Sequence, residues 1–265
     1  MNSGSKTSTR KRTMGRRTIL LDLAYDGTDF CGWQVQRSDR TVQGELERAL
    51  AELHGQRVVL HAAGRTDSGV HATEQRAHFH TSMDSVPSER FRDAINSKLP
   101  LDVRVLRSRR VADEFHARYD AVLRTYHYHL LVSPVQLPRY RNYCHRISRR
   151  PDMATLNRLA AQLIGEHDFS SLGLPPGDGG HARRRVEAAA FVSRPPFIVF
   201  QISANAFLWK MVRTIVATIL ACESCGEDAF VDILQARDRS RAQLAAPGRG
   251  LFLHKVRYHE SFAID

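Results

Sequence analysis

The apolar residues of this chain switch between a period of two and a period of about 3.6 in a fixed order, and they do so twice. Residues 18–25 (TILLDLAY) read as a buried strand and 41–54 (TVQGELERALAELH) as a helix. In that helix Val42, Leu46, Ala49, Leu50 and Leu53 share a face, and Thr41 is placed to cap the first turn. Strands are expected at 57–63 and 75–80, a helix from Pro87 to about Leu99, and a strand from Val103 to about Val111. The second half runs the same course. It has a strand at 121–131, then a helix at 152–164 striped by Met153, Leu156, Leu159 and Leu163 and stopped by Gly165. Strands at 185–192 and 197–204, a helix from about Leu208 to Cys222, a short helix near 227–237 and a strand near 251–258 complete it.

A β-α-β-β-α-β order is that of the split β-α-β, ferredoxin-like unit. Two in tandem predict an α+β fold of two ferredoxin-like subdomains, about 18–113 and 114–265. Their helices would cover one face of the sheets and leave the other faces to form a central basic cleft. With 265 residues and 42% hydrophobic content, the chain can bury cores of that size.

The formal net charge is +11, which points to an anionic polymer or surface as partner. Six of the cations (Lys6, Arg10, Lys11, Arg12, Arg16 and Arg17) fall in residues 1–17 without a single acid, so that stretch reads as a disordered basic tail. The folded remainder is still basic. Two loops, 134–151 and 173–185 (GLPPGDGGHARRR), are rich in arginine and suit contacts to RNA phosphates or plain solvation equally well. No secretory signal is visible, and the longest apolar segment, Phe207 to Cys222, is interrupted by Lys210 and Arg213, so no membrane span is expected. Four scattered cysteines (Cys31, Cys144, Cys222 and Cys225) make no disulfide framework and fit a reducing, cytoplasmic setting.

The stretch most suggestive of chemistry is Gly64-Arg65-Thr66-Asp67-Ser68-Gly69-Val70-His71, set between two expected strands. Read locally, T-D-S-G is a turn whose aspartate bonds its own backbone. Read functionally, Asp67 is an exposed carboxylate beside a cation at the end of a sheet. The wider pattern favours the second reading. Tyr25 to Gln34 (YDGTDFCGWQ), Thr41 to Gly44 (TVQG), Ala63 to Ala72 (AGRTDSGVHA), Phe115 to Ala121 (FHARYDA), Arg124 to Tyr128 (RTYHY), Gly165 to Phe169 (GEHDF), Asn205 to Arg213 (NAFLWKMVR) and Ala246 to Tyr258 (APGRGLFLHKVRY) follow one another in order. Together they resemble the bacterial tRNA pseudouridine synthase A family over about residues 18–258.

The resemblance implies an isomerase that breaks the N1–C1′ bond of uridine, turns the base and rejoins it through C5, with no cofactor and no metal. It implies Asp67 as the catalytic group, Arg213 as the guanidinium that pairs with it, and Arg65 as the residue that engages RNA and helps open the target nucleotide. Tyr126 would stack on the uracil, a contact of roughly 1–3 kcal/mol, and Leu253 would lie beneath the base. It further implies a homodimer acting on the tRNA anticodon arm, at uridines on its 3′ side (positions 38, 39 and 40). Ala217 departs from the family, standing where a glycine usually follows the M-V-R motif, as do Cys222-x-x-Cys225 and the basic tail.

Three other readings compete. His71-Ala72-Thr73 and His80-Thr81-Ser82 fit the H-x-[S/T] pattern of two-histidine RNA phosphodiesterases. His78-x-His80 and His127-x-His129 could each turn two imidazoles to one side of a strand for a metal. A non-catalytic RNA-binding or RNA-folding protein would show the same charge and loops. It would have no use for Asp67 among phosphate-binding cations.

Overall fold

The structure, a computed structural model, describes residues 15–175, 177 and 180–264. Most of the basic tail, and positions 176, 178 and 179 of the second arginine-rich loop, lie outside the described residues. In chain order the elements are β1 (Arg17–Tyr25), α1 (Val42–His54), β2 (His61–Ala62), β3 (His71–Thr81), α2 (Phe91–Asn96), β4 (Val103–Val111) and β5 (Ala121–Val132). There follow β6 (His145–Ile147), α3 (Met153–Ala161), β7 (Gly165–Asp168), β8 (Arg183–Arg194), β9 (Phe197–Ala204), α4 (Met211–Cys222), α5 (Glu227–Ala236) and β10 (Leu251–Tyr258).

β1 is buried on both sides, which places it inside a sheet. Ile19 and Leu21 lie opposite Phe79 and Ala77 of β3, and this side takes the helices. The rings of His54 (α1), Phe79 and Phe91 (α2) meet there with centroids 5.3 to 6.0 Å apart. On the other side Leu20 and Asp22 face His78 and Arg76. Asp22 is held there by Arg76 and Arg109, at 3.2 and 3.0 Å.

Ten strands join in one continuous sheet, in the order β4-β1-β3-β10-β5-β9-β8-β7, with β2 paired to β3 and β6 to β5. Only β3–β10 and β5–β6 run parallel. The sheet is therefore mixed with helices and mostly antiparallel. It passes without interruption from residues of the first half to residues of the second, where the sequence suggested separate sheets. The link is short: Phe252 opposite His71, and Leu253 opposite Ala72.

Several element boundaries move for reasons outside local periodicity. The strand expected at 57–63 shrinks to His61–Ala62, because α1 claims the backbone before it: Leu60 N–H donates to Glu47, and Leu60 carbonyl accepts from Gln43. The helix expected from Pro87 begins as a 3-10 turn at Ser88–Arg90 and ends at Asn96, whose side chain bonds both backbone groups of Val105. α4 starts at Met211 instead of Leu208, since Trp209 pairs with Leu174 and Lys210 adopts φ 60°. α3 ends at Ala161, and Gly165, at φ +107°, opens the short strand β7 instead of merely ending the helix. β6 and β7 had no counterpart among the expected elements.

No helix among the described residues is long and apolar enough to cross a membrane.

Where β5 and β10 meet, His127 stacks on His254 with centroids 3.7 Å apart, and His129 stacks on Phe252 and Phe197 at 4.5 and 5.2 Å. Burial, reinforced by neighbouring histidines, pulls His127 and His129 from 6.5 down to about 4 each. Between those values the unfolded chain binds protons that the folded chain refuses, so stability is complete above about pH 6.5 and falls as pH drops toward 4. His129→Phe keeps the stacked ring without the titration. Urea midpoints measured between about pH 7.5 and pH 5 should fall less steeply for H129F than for the wild type; parallel curves would refute this assignment.

Candidate active site

Asp67 stands in the loop from β2 to β3, and the loop is shaped by the first motif of the chain. Trp33 N–H donates to Thr66 carbonyl at 3.0 Å, Gly69 N–H to Phe30 carbonyl at 3.3 Å, and Tyr25 hydroxyl shares a 2.8 Å hydrogen bond with Thr66 hydroxyl. Gly32 makes this contact possible. Its φ is +90°, and a β-carbon there would lie 2.8 Å from Thr66 carbonyl oxygen. YDGTDFCGWQ and GRTDSG are thus two sides of one backbone interface. The local turn does form, with Val70 N–H donating to Asp67 carbonyl at 3.2 Å, but the carboxylate takes no part in it.

The carboxylate reaches instead to residues of the second half. Arg213, in the first turn of α4, donates through Nη1 to Oδ2 at 2.8 Å. The same guanidinium donates through Nε to Ala246 carbonyl at 2.6 Å, and Ala246 N–H returns to Arg213 carbonyl at 3.1 Å. The indole N–H of Trp209 donates to Oδ1 at 3.0 Å. Each carboxylate oxygen therefore accepts from an N–H donor that can only donate, a pattern suited to the ionised, acceptor-only form.

These groups open on a cavity of about 570 Å³ lined by both halves of the chain. Arg65, Arg118, Arg124, Arg184, Lys210 and Arg213 line it, and Asp67 is the one acid among the described residues that do. Arg65 is exposed at its wall. Tyr126 is buried, with its ring edge-to-face against Phe207 at 5.0 Å. Burial, with Asp67 acting in the same direction, holds its phenol above the ordinary range, so it stays protonated at neutral pH. Arg124, two residues earlier on β5, gives its guanidinium to four carbonyls: Ala121, Asn205, Ala63 and Arg118, at 2.6 to 3.1 Å. Leu253 is fully buried opposite Tyr126 and does not line the cavity, whereas Leu251 does.

Sequence reasoning did not single out Trp209 or Phe207, although both lie inside the quoted NAFLWKMVR motif, where a tryptophan beside a lysine in an apolar run was the available signal. The histidine readings find other places. His71 is buried outside the cavity, with Nδ1 accepting from Gly27 N–H at 3.0 Å and Nε2 donating to Asn142 carbonyl at 2.9 Å. His80 lies elsewhere on β3, so the two-histidine phosphodiesterase arrangement does not assemble at the cavity. Neither His-x-His pair gathers a third metal ligand among the described residues.

The model of a family described as tRNA pseudouridine synthase matches residues 23–120 and 159–259. A tRNA pseudouridine synthase A of Treponema denticola is 40% identical over 255 residues, covering 94% of this chain and 95% of that protein. One from Treponema pallidum is 45% identical over 230 residues (84% and 82%), and one from Halalkalibacterium halodurans is 42% identical over 238 (89% and 90%). The matched segments carry Asp67 and Arg213, from opposite halves of the chain, into a single ion pair. By this match and by likeness along nearly its whole length, the chain belongs to the tRNA pseudouridine synthase family.

Proposed function

We propose that this protein isomerises uridine to pseudouridine in tRNA, with Asp67 as the reacting carboxylate. The observation that carries this reading is the position of Asp67: one anion, gripped by Arg213 and Trp209, in a cavity where the other charged side chains among the described residues are cations. A binding surface for RNA gains nothing from an acid there, because it repels phosphate; a reaction at the nucleotide does. The carboxylate attacks C1′ or C6, or takes the C2′ proton. In each, the N1–C1′ bond breaks, the base turns, C5 bonds to C1′ and the C5 hydrogen leaves as a proton.

The other residues take supporting parts. Arg213 holds the carboxylate aimed. Tyr126 stacks on the base, with Leu253 opposite it on the neighbouring strand and Leu251 at the cavity wall. Arg65, exposed beside Asp67, replaces contacts that the base loses on leaving its stack, a loss of a few kcal/mol. We read the whole as two ferredoxin-like halves, about 18–113 and 114–265, around a basic cleft. The strand orders β4-β1-β3-β2 and β10-β5-β9-β8 support this, since each places corresponding elements alike. The family resemblance supports a cytoplasmic homodimer that works on the anticodon arm, at its 3′ uridines.

Tritium release from tRNA labelled at uridine C5 tests the chemistry. Wild type should release tritium, and Asp67→Asn should lose the activity by 10³-fold or more (an order-of-magnitude figure) while still binding tRNA. Equal rates would remove Asp67 from the reaction, and silence from both with tight binding would make this a non-catalytic RNA-binding protein. Arg213→Lys keeps the charge but cannot reach Asp67 and Ala246 together, so its kcat should fall about 10²-fold; an unchanged kcat would contradict the positioning role. Affinity for tRNA should drop with slope of about −0.7 to −0.9 log units per log unit of salt for each phosphate contact. A salt-independent Kd would show that the cations do not meet phosphates.

A further inference from the structure

One wall of the cavity belongs to His116, Arg118 and Tyr119, which the isomerisation chemistry does not use. Tyr119 on that wall is 71% exposed, more than any other Phe, Tyr or Trp among the described residues. Most side chains so exposed have nothing to hold them, but this one has. His116 lies against it with ring centroids 4.3 Å apart and planes inclined by 33°. His116 is itself fixed: Nδ1 accepts from the backbone N–H groups of Arg118 and Tyr119 at 3.1 and 3.3 Å, and the His116 backbone N–H donates to the Asp120 carboxylate at 2.7 Å. Behind it stand His78, buried on β3, at 4.8 Å and His61 at 5.4 Å. Tyr119 is the outer end of a ladder of rings that begins in the sheet.

Arg124 sets where that ladder stands relative to Asp67. One of its nitrogens donates to Arg118 carbonyl at 2.6 Å and to Ala63 carbonyl at 3.1 Å, tying the turn that carries Tyr119 to the loop that carries Asp67. The Arg118 guanidinium lies 5.8 Å from the Tyr119 ring centroid, and among the described residues no carboxylate other than Asp67 lines the cavity. Trp209, the other exposed aromatic at the cavity, is already committed. Its N–H is given to Asp67 and Lys210 lies 4.3 Å over its ring.

A preorganised π-face on a cation-lined wall beside the reacting carboxylate suits a nucleobase. The reaction also creates a base in need of one. When the target uridine leaves the stack, each neighbour loses a stacking partner. We propose that Tyr119, backed by His116, is the stacking platform for a nucleotide adjoining the reacting uridine. The platform rests on the pseudouridylation reading above and extends it by one residue of substrate.

The test pairs a change in the protein with a change in the RNA. Tyr119→Ala should raise the Kd and KM for unmodified tRNA transcript about 5- to 150-fold, the range of one base-aromatic stack. Tyr119→Phe should recover that loss, and thermal unfolding of both variants should match wild type because the side chain is exposed. An abasic nucleotide placed on one side of the uridine that wild type converts should cost wild type a similar factor and cost Y119A little more. Full affinity in Y119A, or losses that multiply at both flanking positions, would overturn the platform. Tritium release by wild type is followed in the same series. Its absence would overturn the pseudouridylation reading, whereas a reacting wild type with an indifferent Y119A would overturn the platform alone.

Discussion

A strand edge offers each of its backbone groups to one partner, and the outer edge of β3 is divided between two. β2 takes it at Ala77 and His78, and β10 takes it at His71 and Ala72. Each partner holds only two residue pairs, and the loop from Ala63 to Val70 emerges where one gives way to the other. Asp67 is on that loop. β10 arrives there directly after the segment 246–250, which is bonded to Arg213 through Ala246 in both directions. The parallel join of β3 to β10 therefore does two things at once. It makes the two halves one sheet, and it delivers the cation of the second half to the anion of the first.

The ion pair that results is partly buried on both sides, with about a fifth or less of each side chain exposed. Pairs of this kind gain little net stability, since desolvation offsets much of the attraction, but removing one partner leaves a costly bare charge. The arrangement reads as a means of holding the carboxylate in one position and orientation. Arg213 is held by Ala246 as well as by Asp67, so its position does not depend on the pair alone.

Buried cations elsewhere show a contrast with consequences for RNA. Arg76 and Arg109 face Asp22, and that cluster carries its own countercharge. Arg124 is satisfied by four carbonyl oxygens instead. Carbonyls supply hydrogen bonds without cancelling the charge, so Arg124 braces the cavity and remains part of its positive field. The same side chain links the loops of Ala63, Arg118 and Asn205, which makes the cavity wall a single braced unit.

Elements with a long apolar stripe were legible in the sequence almost to the residue: β9 at 197–204, β10 at 251–258, α1 from Val42 and α5 near 227–237. So were the family motifs, and with them Asp67, Arg213, Arg65 and Tyr126 as candidates. β6 and β7 were not legible, because strands of three or four residues hold too few positions to display a period. Nor was the shortening of β2, which depends on Glu47 and Gln43 claiming a backbone far along the chain. The resemblance pointed to Leu253, and only the tertiary structure put Leu251 at the cavity wall and left Leu253 buried, opposite Tyr126 on the neighbouring strand. Trp209 and Tyr119 belong to the same class. An indole donor on Asp67 and a ring braced by His116 are facts of distance between residues remote in sequence or fixed by a turn. Periodicity and motif order settled which elements and which reactive groups this chain carries. Contacts between distant segments, which no local pattern encodes, decided what those groups touch.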